Sequence, residues 1–170
     1  MNYPLRRAVL AYLFEEKPID LAEFAKRLRD AFPEGRFGVP MNLLGSHDTI
    51  RLESLPCSNL QRVKLALSIL FFLPGAPCVY YGDEIGMEGG KDPDNRRSFP
   101  WDKFPEMQKA PVYDYIKSLI ALRNKERVLR DGLLEIAYSA GRLEIVRTLG
   151  KKKMTLSVSM ATPDPVFEIC

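Results

Sequence analysis

Three loop clusters in this sequence hold side chains that could do chemistry. The first is His47-Asp48, in the polar run Gly45-Ser46-His47-Asp48-Thr49 directly after the apolar stretch Val39 to Leu44. In barrels of alternating strands and helices the carboxyl ends of the strands hold the active site, and this loop stands at such an end. Asp48 or Thr49 could equally cap a short helical turn beginning near Ile50. The second cluster is Tyr80-Tyr81-Gly82-Asp83-Glu84, again behind an apolar run. Glycoside hydrolysis uses a carboxyl pair, roughly 5–5.5 Å apart for retention and roughly 6.5–9.5 Å for inversion. Two adjacent loop carboxylates cannot be given those roles from sequence, and bonding backbone N–H groups is the alternative use for both. The third, Asp92-Pro93-Asp94-Asn95-Arg96-Arg97, offers acceptors and forked donors suited to sugar hydroxyls. It could also be an internally salt-bridged loop, of small energetic value where exposed.

Other chemistries find little support. The three cysteines, Cys57, Cys78 and Cys170, are widely spaced, and His47 is the only histidine, so a Cys/His zinc site is not expected. No cofactor is implied. The cysteine usage suits a reducing cytoplasm. With 25 basic and 22 acidic residues the net charge is +3, which gives no reason to invoke nucleic acid or an anionic membrane as partner. The one basic cluster, Lys151-Lys152-Lys153, reads as a solvated hairpin turn. No secretory leader is visible, and the most apolar stretch, Leu65 to Leu73, is too short to span a bilayer and stops at Pro74-Gly75.

These loops must be held by regular elements. At 46% hydrophobic and 28% charged residues, the 170-residue chain is of the globular class. Helices are expected over Leu5 to Phe14, then after Asp20 with Glu23 (a capping-box spacing) until Pro33-Glu34-Gly35. Another capping box, Ser58 with Gln61, should open a helix from about Leu60 to Phe72, and a further helix is expected from Val112 to about Arg127. Val39 to Leu44 and Cys78 to Tyr81 read as short buried strands, with a long irregular connection from Gly82 to Met107. After Asp131-Gly132 the period changes. Leu133 to Tyr138, Leu143 to Leu149 and Met154 to Met160 are strand-like, turning at Ala140-Gly141 and Gly150 to Lys152. The expectation is an α/β part containing parallel strands, then an antiparallel meander. A parallel pair with three helices leaves sheet edges that something else must cover.

The clusters, in this order, resemble the α-amylase superfamily (glycoside hydrolase family 13), nearest its neopullulanase and cyclomaltodextrinase branch. The segments that carry the resemblance are Met1-Asn2-Tyr3-Pro4, Leu43-Leu44-Gly45-Ser46-His47-Asp48-Thr49, Pro74 through Met87, and Asp92-Pro93-Asp94-Asn95-Arg96-Arg97-Ser98-Phe99-Pro100-Trp101. The resemblance implies the C-terminal part of a (β/α)₈ TIM barrel over residues 1–130, followed over 131–170 by the start of an antiparallel β domain. Met1 to Tyr3 would end barrel strand six, Met41 to Leu44 would be strand seven and Cys78 to Tyr81 strand eight. It further implies that Asp48 is the catalytic, transition-state-stabilising carboxylate, that His47 helps hold the same sugar, and that Asp92 and Arg96 contact the next one. Ser46 stands where many members have Asn.

The family's nucleophilic Asp follows strand four and its general-acid Glu follows strand five, and neither has a counterpart in this sequence. A barrel takes ~250 residues. The chain is therefore expected to be inactive alone on α-glucan or maltooligosaccharide, and to need a separate N-terminal barrel polypeptide. The alternative is a non-catalytic remnant that associates with itself as a homo-oligomer and binds maltooligosaccharide weakly. Opening at the methionine of Met-Asn-Tyr-Pro suggests a boundary at an internal methionine.

Overall fold

The computed structural model describes residues 1–32, 40–139, 142–159 and 166–169. Asn2 starts the first helix, α1 (Tyr3–Leu13): its side-chain oxygen accepts the Leu5 N–H at 3.1 Å, and Pro4 sits in the first turn where no donor is needed. Asp20 caps α2 (Leu21–Asp30) by accepting the Glu23 N–H at 2.8 Å. The apolar faces of the two helices meet, with the rings of Tyr12 and Phe24 stacked 4.4 Å apart. The expected helix stop at Pro33-Glu34-Gly35 lies outside the described residues, as does Val39.

Strand β1 (Met41–Leu43) runs parallel to β2 (Ala76–Cys78), with Met41 beside Ala76 and Leu43 beside Cys78. Between them α3 (Leu60–Phe72) completes a βαβ unit. The start of the chain adds to β1 through the Asn2 N–H on the Met41 carbonyl at 2.8 Å. Asn42 is fully buried and spans the layer, its amide donating to the Pro74 carbonyl at 2.7 Å and its oxygen accepting from the Asn2 amide at 3.0 Å. The expected strand Cys78 to Tyr81 is displaced: pairing ends at Cys78, because Tyr80 and Tyr81 turn their rings onto Arg51.

Asn59, not Ser58, caps α3, accepting the Arg62 N–H at 3.0 Å. Asn59 stands in extended backbone three residues before that donor, which leaves Ser58 outside the turn. Most of the circumference of α3 is buried, since it packs between α1, α5 and the β sheet. Its C-terminal carbonyls are gathered by two arginines. Arg123 donates to Phe71, Leu73 and Gly75, and Arg147 donates to Phe72 at 2.7 Å, Leu129 at 2.8 Å and Gly132 at 2.7 Å. Cations there complement the negative end of the helix dipole.

The connection from Gly82 to Met107 is not structureless. It contains single 3₁₀ turns at Asp83–Ile85 and Asp94–Arg96 and the short helix α4 (Phe104–Met107). The helix expected to reach Arg127 is two helices, α5 (Pro111–Lys125) and α6 (Arg127–Asp131). Glu126 breaks them in extended backbone because its buried carboxylate pairs with Lys152 of the following sheet.

That sheet is antiparallel, in the order β3 (Leu133–Ser139), β4 (Arg142–Leu149), β5 (Lys152–Val158), β6 (Val166–Ile169). Met154, Leu156 and Val158 alternate inward as the period of two requires. Gly150 supplies the left-handed residue (φ 59°) of the β4–β5 turn. The Ala140-Gly141 turn, Met160 and Cys170 lie outside the described residues. Arg29 of α2 fastens the sheet to the helices, donating to the Ile136 carbonyl at 2.7 Å. Among the described residues no helix is long and apolar enough to cross a membrane.

Candidate active-site cleft

The chain leaves β1 through Leu44 and Gly45, both buried. Glycine is needed there for space, since a Cβ would stand 2.5 Å from Asp83 Oδ2. The next four residues close on themselves. Ser46 N–H donates to Thr49 Oγ1 at 3.0 Å, Thr49 N–H to the Ser46 carbonyl at 3.2 Å, and Asp48 N–H to Ser46 Oγ at 3.2 Å. The 3₁₀ turn Leu52–Ser54 that follows starts from Arg51 without a side-chain cap, so neither Asp48 nor Thr49 serves as one.

Asp48 Oδ1 lies 3.1 Å from His47 Nε2 and 3.7 Å from Arg96 Nη2. Arg96 in turn holds Asp92, with Nε 3.1 Å from Oδ1, and its Nε donates to the His47 carbonyl at 2.9 Å. His47, Asp48, Asp92 and Arg96, from two loops 44 residues apart, thus form one charged cluster. The side chains of His47 and Asp48 are 60% and 53% exposed. Ion pairs this open to water contribute little to stability, so the polar atoms face solvent at small cost and remain available to a ligand. Asp48 and Asp92 line a cleft of about 530 Å³ together with Arg6, Leu10, Thr49, Ile50, Leu55 and Lys91. Arg6 reaches the cleft from α1, its Nε anchored on the Leu44 carbonyl at 2.8 Å; burial lowers its pKa from the ordinary value.

Beneath the cleft lies a buried polar layer. Arg51 is fully buried, with Nε on the Asn95 carbonyl at 3.0 Å and Nη1 on the Tyr81 carbonyl at 2.6 Å and on Asp83 Oδ1 at 3.3 Å. Its guanidinium lies over the rings of Tyr80 and Tyr81, 4.6 and 4.7 Å from their centroids. Burial pushes the Asp83 carboxyl up to about 7, against the pull of Arg51, with Glu84 and Glu53 adding to the rise. Burial and Glu88 raise Glu53 as well. The side-chain nitrogen of Asn95 donates to the carbonyls of His47 at 2.7 Å and Thr49 at 3.0 Å, and stands 3.4 Å from that of Ser46.

The second and third clusters therefore divide. Glu84 organises its own loop, accepting the Gly82 N–H at 2.7 Å, whereas Asp83 faces Arg51. Asp94 takes the Gly90 N–H and the Arg97 fork, both at 2.7 Å, which hold its carboxyl below the ordinary value. Arg6, Lys91, Arg51 and the clamping role of Asn95 were not marked out by sequence. Asn95 lay inside a quoted motif, but nothing in the order of residues gives a carboxamide that task. Among the described residues no three His, Cys, Asp or Glu side chains gather as a metal site. A second, aromatic cleft of about 570 Å³ is lined by Tyr81, Glu84, Phe99, Trp101, Phe104 and Tyr113.

The alpha amylase, catalytic domain family matches residues 1–132. A cyclomaltodextrinase of Geobacillus thermopakistaniensis (strain MAS1) is 42% identical over 148 residues, covering 85% of this chain and 24% of that protein. Among solved structures, the maltogenic amylase from S. marinus superposes with a TM-score of 0.83 at 37% identity, over 94% of this chain and 23% of its own. The ligand-free cyclic α-maltosyl-(1→6)-maltose hydrolase from Arthrobacter globiformis gives a TM-score of 0.83 at 29% identity, over 98% of this chain and 42% of its own. The chain spans less than half the length of each of these relatives. Its architecture is that of a partial (β/α)₈ barrel followed by antiparallel sheet.

Proposed function

The chain belongs to the α-amylase catalytic-domain family, and on that premise we propose that it is the C-terminal part of an α-glucan-acting glycoside hydrolase in which Asp48 stabilises the transition state. In this reading residues 1–130 belong to the barrel and 131–170 to the C-terminal β domain. His47 holds the sugar at the cleaved bond, and Asp92 and Arg96 hold the next unit. The attacking carboxylate and the proton donor come from polypeptide outside these 170 residues. The substrate is an α-glucan or maltooligosaccharide, and the site uses no cofactor. The cysteines suit a cytoplasmic setting.

The observation that carries the reading is the convergence of Asp48, His47, Asp92 and Arg96 beside one cleft, in loops beyond parallel β strands. Active sites of such barrels lie at the carboxyl ends of their strands. A solvent-facing carboxylate there can lower an oxocarbenium-like transition state once another group attacks and a second protonates the leaving oxygen.

The test is complementation. The isolated chain should not hydrolyse maltooligosaccharide or cyclomaltodextrin. Joined to a polypeptide carrying strands one to six, it should support hydrolysis that Asp48→Ala abolishes. No activity from an assembled pair would refute the proposal, as would hydrolysis by the isolated chain.

A second reading is favoured by the exposed apolar side chains Met1, Trp101, Leu133, Ile120 and Tyr138. Exposed apolar side chains favour association where they gather into one patch. In that case the chain is a self-associating homo-oligomer with at most weak maltooligosaccharide binding. A strictly monomeric mass by light scattering would exclude it.

A further inference from the structure

We propose that Asn95 is a positioning residue for the His47–Asp48 pair, whose buried carboxamide fixes where their turn stands beside the cleft that Asp48 lines. The consequence for sugar binding rests on the functional reading above; the geometry does not.

The loop's own bonds set its shape but not its height. The bonds among Ser46, Asp48 and Thr49 close the turn on itself, so they would not stop it moving as a unit. The nitrogen that reaches most of its carbonyls from the other loop is Asn95 Nδ2, with Arg96 Nε sharing that of His47. Asn95 Nδ2 donates to the carbonyls of His47 and Thr49 and faces that of Ser46. Only one amide orientation is possible, because the reverse would set an oxygen against three carbonyls. Asn95 is itself held in place. It is fully buried, and its carbonyl is held by the Nε of Arg51, which Asp83 and the Tyr81 carbonyl fix in turn.

Two further observations argue against a purely structural role. Asn95 Oδ1 has no hydrogen-bond partner among the described residues, so the side-chain bonds of Asn95 run from Nδ2 to the turn that carries His47 and Asp48. Arg96, the next residue, donates to the same His47 carbonyl while its other nitrogen faces Asp48. One short segment therefore sets both the backbone of the pair and the charge beside it, a supporting shell of the kind that keeps a site at working geometry.

His47 is the only histidine, so the imidazole Cε1–H of the 170-residue chain gives one NMR signal. Asn95→Asp keeps the shape of the side chain and removes the donor. It should shift and broaden that signal, speed amide exchange at Asp48 and Thr49 about tenfold, and weaken maltooligosaccharide binding about tenfold. Asn95→Ser, which retains one donor, should give a smaller change and serves if the Asp variant does not fold. Ile145→Ala in β4 supplies a matched loss of thermal stability away from the cleft and should leave the signal in place. A His47 signal in the Asn95 variants that overlays the wild type, or one that the Ile145 control reproduces, would overturn the proposal. Absence of maltooligosaccharide binding in the wild type would sink the functional reading alone, and the His47 signal would still decide the positioning claim.

Discussion

Arg51 Nη1 lies 3.3 Å from Asp83 Oδ1 with both side chains in the interior, 0% and 3% exposed, so the loops beyond β1 and β2 are joined by a buried ion pair. Removing one member of such a pair is often costly. The balance runs the other way for Asp83, since burial outweighs the attraction of Arg51 and lifts the carboxyl from 3.8 to about 7. The folded state then binds the proton more tightly than the unfolded chain does. The contribution of this group is most favourable below about 4, declines as pH rises toward about 7, and is level above that. Asp83→Asn, which keeps the shape and an acceptor for Arg51, should therefore gain on the wild type across that window. Urea unfolding of both proteins at pH 5 and pH 8 should show the gap widening in favour of Asn by a few kcal/mol, on the order of the shift converted at ~1.4 kcal/mol per unit. A gap that narrows with pH would mean that the Arg51 attraction dominates.

Gly45→Ala should disturb the same pair from the other side. The added methyl would stand 2.5 Å from Asp83 Oδ2, and the short buried carboxylate has no second place to go without leaving Arg51. Overpacking of this kind costs about 1–3 kcal/mol. The melting temperature should fall, and the single His47 signal should move because Gly45 leads directly into its turn. Unchanged stability would show that the two loops can separate freely.

Arg147→Leu should destabilise the chain by roughly 3 kcal/mol or more, since three main-chain carbonyls, those of Phe72, Leu129 and Gly132, lose their buried donor together. Burial and the nearby Arg123 lower the Arg147 pKa to about 10, so the guanidinium is already held at a cost that those carbonyls must offset. Arg147→Lys should recover only part of the loss, because one ammonium cannot reproduce the planar fork. Chemical denaturation of the three proteins checks the order. A lysine variant equal to wild type would reduce the site to a simple charge.

The clusters that line the cleft were legible because each lies within a few consecutive residues and each follows an apolar run. The meander was legible for the same reason, its alternation being local. What escaped was long-range. Nothing beside Ile50 and Leu52 indicates that Arg51 is fully buried, because its partners Tyr81, Asp83 and Asn95 are 30 to 44 residues away. The strand over Cys78 to Tyr81 was misplaced because aromatic residues that pack on a cation look the same in sequence as aromatic residues in a ladder. Glu126 looked like one more helical residue until Lys152, 26 residues on, claimed its carboxylate.

Trp101 is the only tryptophan and is 75% exposed, at the rim of an aromatic cluster with Phe99 and Phe104. An indole that open should emit at the long wavelengths of a water-exposed ring and be quenched readily by iodide or acrylamide. If the chain completes its barrel with an N-terminal polypeptide, the cluster is a candidate contact, because aromatic residues are enriched where surfaces meet and their burial contributes strongly. Titrating that polypeptide should then shift the Trp101 emission to the blue and protect it from quenching, in step with the appearance of hydrolysis. Trp101→Ala should weaken assembly by about 2 kcal/mol or more, the size expected of a central contact residue. Hydrolysis that appears while Trp101 stays fully quenchable would remove this cluster from the interface without touching the role of Asp48. A blue shift at rising concentration of the chain alone would instead mean that the cluster pairs with its own copy, the arrangement of the self-associating form.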